Sequence, residues 1–381
     1  MDVRSESQVE QVIYHKDNAD LWKNTGTPVH PMTPLYKIMW FRENRPEIFN
    51  RTFKWVSIKE YIVFRLTGEW LIDYSMASAS GLFNPLELNW NQKALHLCGI
   101  DEENLSDLTN PLNPIKVKHP LFPEKIKWFL GSTDGCMANI GSGGIDEDDL
   151  IVTIGSSAAV RAITKTFSPK EKALFSYMII PGEFITGGAS NYGATVLDWT
   201  KSKLFDDSLS FKELENKINQ SGPGADGLLF MPYLFGERAP LWDSKAHAEY
   251  CFQSNNHTKE DQLRASLEGM LFNIHCIMDM VESIAKSKKN ILVNGGVSNS
   301  TTAMQIFSDI LGREIKVMNE VDSSSLGAAL LAMRAFKQSY SWFKKKVQFE
   351  IYKPNELNKK IYRESYKKFL EILNEKYFKM N

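Results

Sequence analysis

The apolar run Ile291-Leu292-Val293-Asn294 halts on Gly295-Gly296 and passes through Val297, Ser298 and Ser300 into helical spacing. Backbone amides bare of side chains, met by a helix N-terminus, suit a phosphorylated or ribosylated ligand. Gly155-Ser156-Ser157 joins two short apolar runs and offers amides and hydroxyls to an anion, as backbone nests do. Taken alone it reads as a plain hairpin turn. Asp134, in Gly131-Ser132-Thr133-Asp134-Gly135, stands just ahead of a small-residue helix. A hydroxyl is a poor nucleophile at neutral pH, and a carboxylate that accepts its proton as a bond forms assists its attack on phosphorus. The same aspartate also fits a helix N-cap. His30 and Met32 lie in a loop, 26–33, that opens a long helix; a lone loop histidine is ordinarily a surface residue.

Elements must hold these residues. Behind the glycine pair the periodicity predicts a helix over 301–311, a strand over 314–318, and a small-residue helix opening at Asp322-Ser323-Ser324-Ser325-Leu326-Gly327. Ahead of Asp134, Thr33-Pro34 opens a helix over 35–41, and a second over 57–66 closes at Gly68. Between them and Asp134 lies a proline-rich stretch with Pro111, Pro114, Pro120 and Pro123, which reads as a crossover or linker. From Asp149 the pattern turns to strands: a hairpin over 150–164 and another over 177–186 with Pro181-Gly182 in its turn, then a helix from about Tyr192. Strand-helix alternation of this kind argues for an α/β layer fold with its ligand site at the strand ends.

At this point the residues resemble a known family. Asn294 to Gly312 (NGGVSNSTTAMQIFSDILG), followed by SSSLGAALLA, resembles the adenosine-binding segment of the FGGY carbohydrate kinases, within the actin-like ATPase superfamily. The resemblance implies a ribonuclease-H-like α/β fold: one complete C-terminal half over 146–381, which binds nucleotide, and an incomplete N-terminal, sugar-binding half over 1–145. It implies Asp134 as catalytic base, in a Gly-x-x-Asp motif. It further implies phosphate contact at Gly155, Ser156 and Ser157, and nucleoside contact at Gly295, Gly296 and Ser300. Asp73-Tyr74-Ser75-Met76-Ala77-Ser78-Ala79-Ser80-Gly81-Leu82-Phe83-Asn84 looks like another family segment, departing from it at Ile72, Ser80 and Asn84, and reads as a marker rather than a site. Gly236-Glu237-Arg238-Ala239-Pro240-Leu241-Trp242-Asp243 is similar to a family loop that fits a structural corner.

The loop 26–37, the run 61–68 and Tyr352-Lys353-Pro354-Asn355 are similar to the gluconate branch of that family in low-GC bacteria, which implies His30 and Met32 as substrate contacts. The implied reaction is ATP-dependent phosphorylation of a sugar or sugar acid, D-gluconate first, with Mg2+ on the phosphates. A pentulose or polyol kinase, and a catalytically silent chain on the same fold, stay open as alternatives. The family's opening hairpin, with an Asp-x-Gly-Thr-type turn for the ATP phosphates, has no counterpart here, so the chain alone is expected to be a poor catalyst.

Composition sets wider bounds. The 381 residues are 43% hydrophobic with a formal charge of -1, enough to bury the cores of two or three domains. The polar start and the lack of a long apolar run point to the cytoplasm and away from a membrane. Balanced charge without a basic block argues against nucleic acid. The expected partner is a small sugar or sugar acid, and a homodimer is compatible with it. Cys98, Cys136, Cys251 and Cys276 lack CxxC spacing and read as reduced packing residues.

Overall fold

Residues 2–15, 20–120, 122–123, 125–205, 208–286, 289–318, 322–338 and 348–378 are described by a computed structural model. The chain divides into two units, neither continuous in sequence. The first takes Met1–Glu147, Ile163–Thr186 and Asp322–Lys345, and the second takes Asp148–Ala162, Gly187–Val321 and Lys346–Asn381.

The first unit opens on helices α1 (Glu6–Tyr14), α2 (Leu21–Thr25), α3 (Pro34–Asn44), α4 (Pro46–Phe49) and α5 (Ile58–Thr67). Pro34 begins α3 where a missing N–H costs nothing. Thr33 precedes it in extended conformation, and its hydroxyl donates to the Pro28 carbonyl at 3.2 Å rather than accepting from the helix. A reciprocal Ser57–Glu60 capping box starts α5, and Gly68, at φ 80°, ends it. Strand β1 (Leu71–Asp73), helix α6 (Tyr74–Ala79), the hairpin β2 (Phe83–Asn84) and β3 (Asn89–Trp90), helix α7 (Gln92–Cys98) and strand β4 (Asp107–Thr109) follow. β4 pairs with β1 in parallel, Ile72 opposite Leu108. Leu35, Ile38, Ile72, Ala77, Phe83 and Leu95 belong to a buried cluster that draws together α3, β1, α6, β2 and α7. Helix α8 (Asp134–Gly141) completes this stretch.

A seven-stranded sheet carries the rest. Its strands are β5 (Asp149–Ile154), β6 (Ala158–Thr164), β7 (Phe175–Ile180), β8 (Glu183–Ser190), β11 (Asn290–Asn294), β12 (Ile315–Met318) and β13 (Phe349–Tyr352), in the order β13-β12-β11-β5-β6-β8-β7. The strands β6 and β8 are shared: 158–162 and 187–190 belong to the second unit, 163–164 and 183–186 to the first. In the second unit β5 and β6 form the expected antiparallel hairpin, with Val152 opposite Val160, while β11 runs parallel to both β5 and β12. Strands β5 and β11 are nearly all buried, because both faces of a strand in the middle of the sheet are covered. Helices α9 (Ala194–Leu204), α10 (Phe211–Ile218) and α11 (Lys259–Ala285), the small pair β9 (Leu229–Met231) and β10 (Glu249–Cys251), helix α12 (Thr301–Leu311) and helix α14 (Glu356–Leu373) complete the second unit. Between β12 and β13 in the chain lies helix α13 (Ser323–Ala335), which belongs to the first unit.

There α13 crosses α8 with almost no space between backbones. A Cβ on Gly141 would lie 1.9 Å from the Ser323 carbonyl oxygen, and one on Gly327 would lie 1.9 Å from that of Met137. The last turn of α13 is tied to β8 by Arg334, whose two terminal nitrogens each reach Glu183 at 2.7 Å. All four cysteines are free thiols; three are buried and Cys251 is half-buried.

Candidate functional site

In the first unit, Asp134 is the first residue of α8. The cap is Thr133, whose hydroxyl accepts from the Cys136 amide at 3.4 Å, so the N-cap alternative raised by residue type does not describe Asp134. Its carboxylate is exposed and accepts the adjacent Gly135 amide at 2.6 Å. His30, by contrast, is no surface residue: it is 6% exposed, and its Nδ1 accepts the Met32 amide at 3.2 Å, which leaves the proton of the neutral ring on Nε2. The sulfur-bearing side chain of Met32 is exposed. The His30 loop rests on α6 and its C-cap: Thr27 Oγ1 donates to the Ser78 carbonyl at 2.6 Å, and Leu35 N to that of Ser80 at 3.0 Å.

Sequence reasoning passed over the residues beneath Asp134. Asp73 and Ser75 are buried, Asp73 caps α6, and Ser75 reaches back to the loop ahead of Asp134, accepting from Thr133 N at 2.8 Å. A carboxylate followed by hydroxyls at i+2 and i+5 was the available signal, and it reads as packing until the partner loop is known.

In the second unit the turn Gly155-Ser156-Ser157 sits between β5 and β6 with both serines exposed. Its carbonyls face the start of α9: Gly193 N and Thr195 Oγ1 donate to Ser156 O at 2.8 and 2.7 Å, and Ala194 N to Gly155 O at 2.7 Å. The helix start thus fixes the turn. The serine hydroxyls have no hydrogen-bond partner among the described residues, which leaves them available to an anion. Gly295 follows β11 at φ 98°, where a Cβ would lie 2.6 Å from the Ile154 carbonyl, so only glycine lets the chain pass the end of β5. Gly296 is exposed, and a Cβ there would meet no atom within 4 Å. Ser300 is buried, caps α12 through the Ala303 amide at 3.0 Å, and donates to Glu215.

The loop 236–243 is the corner that secures the end of β8. Buried Glu237 accepts from Ser190 Oγ at 2.6 Å and from the amides of Asn191 and Arg238 at 2.7 Å each. Burial pushes its carboxyl up to about 7, against the pull of those donors. Arg238 spans to Asn191 Oδ1 and the Ser190 carbonyl. Among the described residues no three His, Cys, Asp or Glu side chains gather as a metal cage, and no helix is long and apolar enough to cross a membrane.

A mixed sheet whose hairpin turn and glycine-pair turn emerge from adjacent strands, with helices packed on it, defines an actin-like α/β phosphotransferase fold, the architecture expected above. Residues 1–141 match the N-terminal domain and residues 150–336 the C-terminal domain of the FGGY family of carbohydrate kinases, and the chain belongs to that family. It is 34% identical over 352 residues to a gluconokinase of Bacillus subtilis, an alignment covering 88% of this chain and 68% of the relative. Two solved structures from Lactobacillus acidophilus, a gluconate kinase and a ligand-bound xylulose kinase, each superpose with a TM-score of 0.93 at 30% identity, covering 100% of this chain and 80% of theirs.

Proposed function

We propose that the protein transfers a phosphoryl group from ATP to the terminal hydroxyl of D-gluconate, giving 6-phospho-D-gluconate, with Asp134 as the base. The observation that carries this reading is Asp134 itself: an exposed carboxylate on the first turn of α8, relieved of capping by Thr133. Residues 1–145 bind the sugar acid and residues 146–381 the nucleotide. His30 and Met32 contact the substrate. Gly155, Ser156 and Ser157 hold phosphate oxygens, and Gly295 and Gly296 face the nucleoside, with Ser300 acting through the turn it holds. Mg2+ bound with the ATP would supply charge neutralisation to the phosphates. As the phosphoryl group moves, the sugar hydroxyl forms the new P–O bond and passes its proton to Asp134, while ADP leaves.

The gluconate assignment is supported by the likeness to gluconokinase, and the equal likeness to a xylulose kinase favours a pentulose as the second reading. A coupled ADP-release screen over gluconate, xylulose, ribulose, glycerol and fuculose tests both. Gluconate should give the highest kcat/KM, since specificity is a difference in transition-state binding. A pentulose that wins by about tenfold or more overturns gluconate and leaves the kinase reading; ATP binding without turnover on any sugar would make the chain a silent binder.

A further inference from the structure

We propose that Ser75, backed by Asp73 and Lys59, is the positioning centre for Asp134, and that α6 sets the candidate base and the His30 loop in a common register. This rests on Asp134 being the base. Among the described residues the carboxylate of Asp134 has one bond, to the amide beside it, so its place is inherited from Ser132 and Thr133. Those two residues are held from below. Ser75 Oγ accepts from the Thr133 amide at 2.8 Å and from the Ser132 hydroxyl, and donates its own proton to Asp73 Oδ1 at 2.6 Å. A serine hydroxyl has one proton and two lone pairs, and all three are used here. It is also fully buried, so water offers no substitute for these partners.

Asp73 fixes that hydroxyl from behind. Its Oδ1 also accepts the Ser75 and Met76 amides at 3.0 and 3.1 Å, and its Oδ2 accepts Lys59 Nζ at 2.6 Å. The carboxylate is 1% exposed and is compensated by that ammonium group. Lys59 closes the ring by donating to the Ser132 carbonyl at 3.2 Å. The two-residue loop is therefore gripped at an amide, a hydroxyl and a carbonyl. At the other end of the same helix, the carbonyls of Ser78 and Ser80 hold Thr27 and Leu35, on either side of His30 and Met32. A base must come within about 2.6–3.2 Å of the proton it takes, and a displacement of about 1 Å costs on the order of 100-fold in rate.

The test combines amide exchange with kinetics. Ser75→Ala leaves Asp73 capping α6 but removes the acceptor under Thr133. Amide exchange across 131–137 should quicken by roughly tenfold or more, while β5 and α11 exchange as before. This readout works with or without turnover. On the kinetic side kcat for gluconate should fall about 10- to 100-fold with both KM values within about twofold, and Ser75→Ala should add nothing in an Asp134→Asn background, since both act through one carboxylate. Unchanged exchange at Thr133, or losses that add in the double variant, would overturn the proposal. An Asp134→Asn variant with full activity would instead overturn the base assignment while leaving the exchange result to stand. Should Ser75→Ala fail to fold, Lys59→Met, altering a partly exposed member of the ring, is read by the same exchange experiment.

Discussion

Asp134 is exposed where a buried structural aspartate would be paired, and its neighbour Thr133 does the capping. Replacing Asp134 with Asn should therefore leave folding intact and remove only a proton acceptor. Turnover is expected to fall by roughly 10²- to 10⁴-fold, about 3 to 5 kcal/mol of barrier, with ATP affinity nearly unchanged; a variant within about threefold of the parent would remove Asp134 from the chemistry. Gly296 gives an equally clean substitution, because a side chain there meets no protein atom. Gly296→Val should abolish ATP binding in calorimetry with little change in melting temperature, and equal affinities would mean the glycine serves only the turn. Gly295 would not serve for this test, since any Cβ there strikes the Ile154 carbonyl.

At the scale of elements, the contact between α8 and α13 depends on two glycines. Gly327→Ala places a methyl group 1.9 Å from the Met137 carbonyl, so the helices must part. The cost should lie at the upper end of the roughly 1–3 kcal/mol of overpacking, read as a lower denaturation midpoint in urea. The Arg334–Glu183 clasp makes α13 pH-sensitive as well. Burial raises the Glu183 carboxyl, but the bonds from Arg334 and Lys165 outweigh it and hold the group below its ordinary 4.5. A carboxylate depressed in the folded state contributes fully above its unfolded value and loses that contribution as pH falls through the folded one. Melting temperatures measured from pH 6 downward should thus decline less steeply in Glu183→Gln than in the parent, starting from a lower value at pH 6; parallel curves would show that the clasp is not coupled to stability. The periodicity made α3, α5, α12 and the two hairpins legible. It did not show that Thr33 directs its hydroxyl to Pro28 instead of capping, because that partner belongs to a turn and not to the helix.

For the molecule as a whole, the two units interleave in sequence, and a ligand that binds only the folded chain stabilises it by mass action. ATP at about 100 times its dissociation constant should stabilise the folded state by ~2.7 kcal/mol, visible as a rise of several degrees in the melting transition that shares residues 148–162 and 187–321. Gly296→Val should abolish the rise. A shift that persists in that variant would place nucleotide binding away from the glycine-pair turn.

What the sequence determined by itself was local or carried by contiguous motifs: the strand Ile291 to Asn294 ending on two glycines, the hairpin around Gly155, and the helix behind Asp134 are each dictated by residue pattern over fewer than about twenty residues. These were enough to reach the α/β class and the family. What only the tertiary structure decided depends on partners far apart in the chain. His30 is buried, Ser300 pairs with Glu215, and Ser75 lies beneath Thr133, 58 residues away. A hydroxyl's role is set by which groups face it once the chain has closed on itself, and that information is absent from spacing alone.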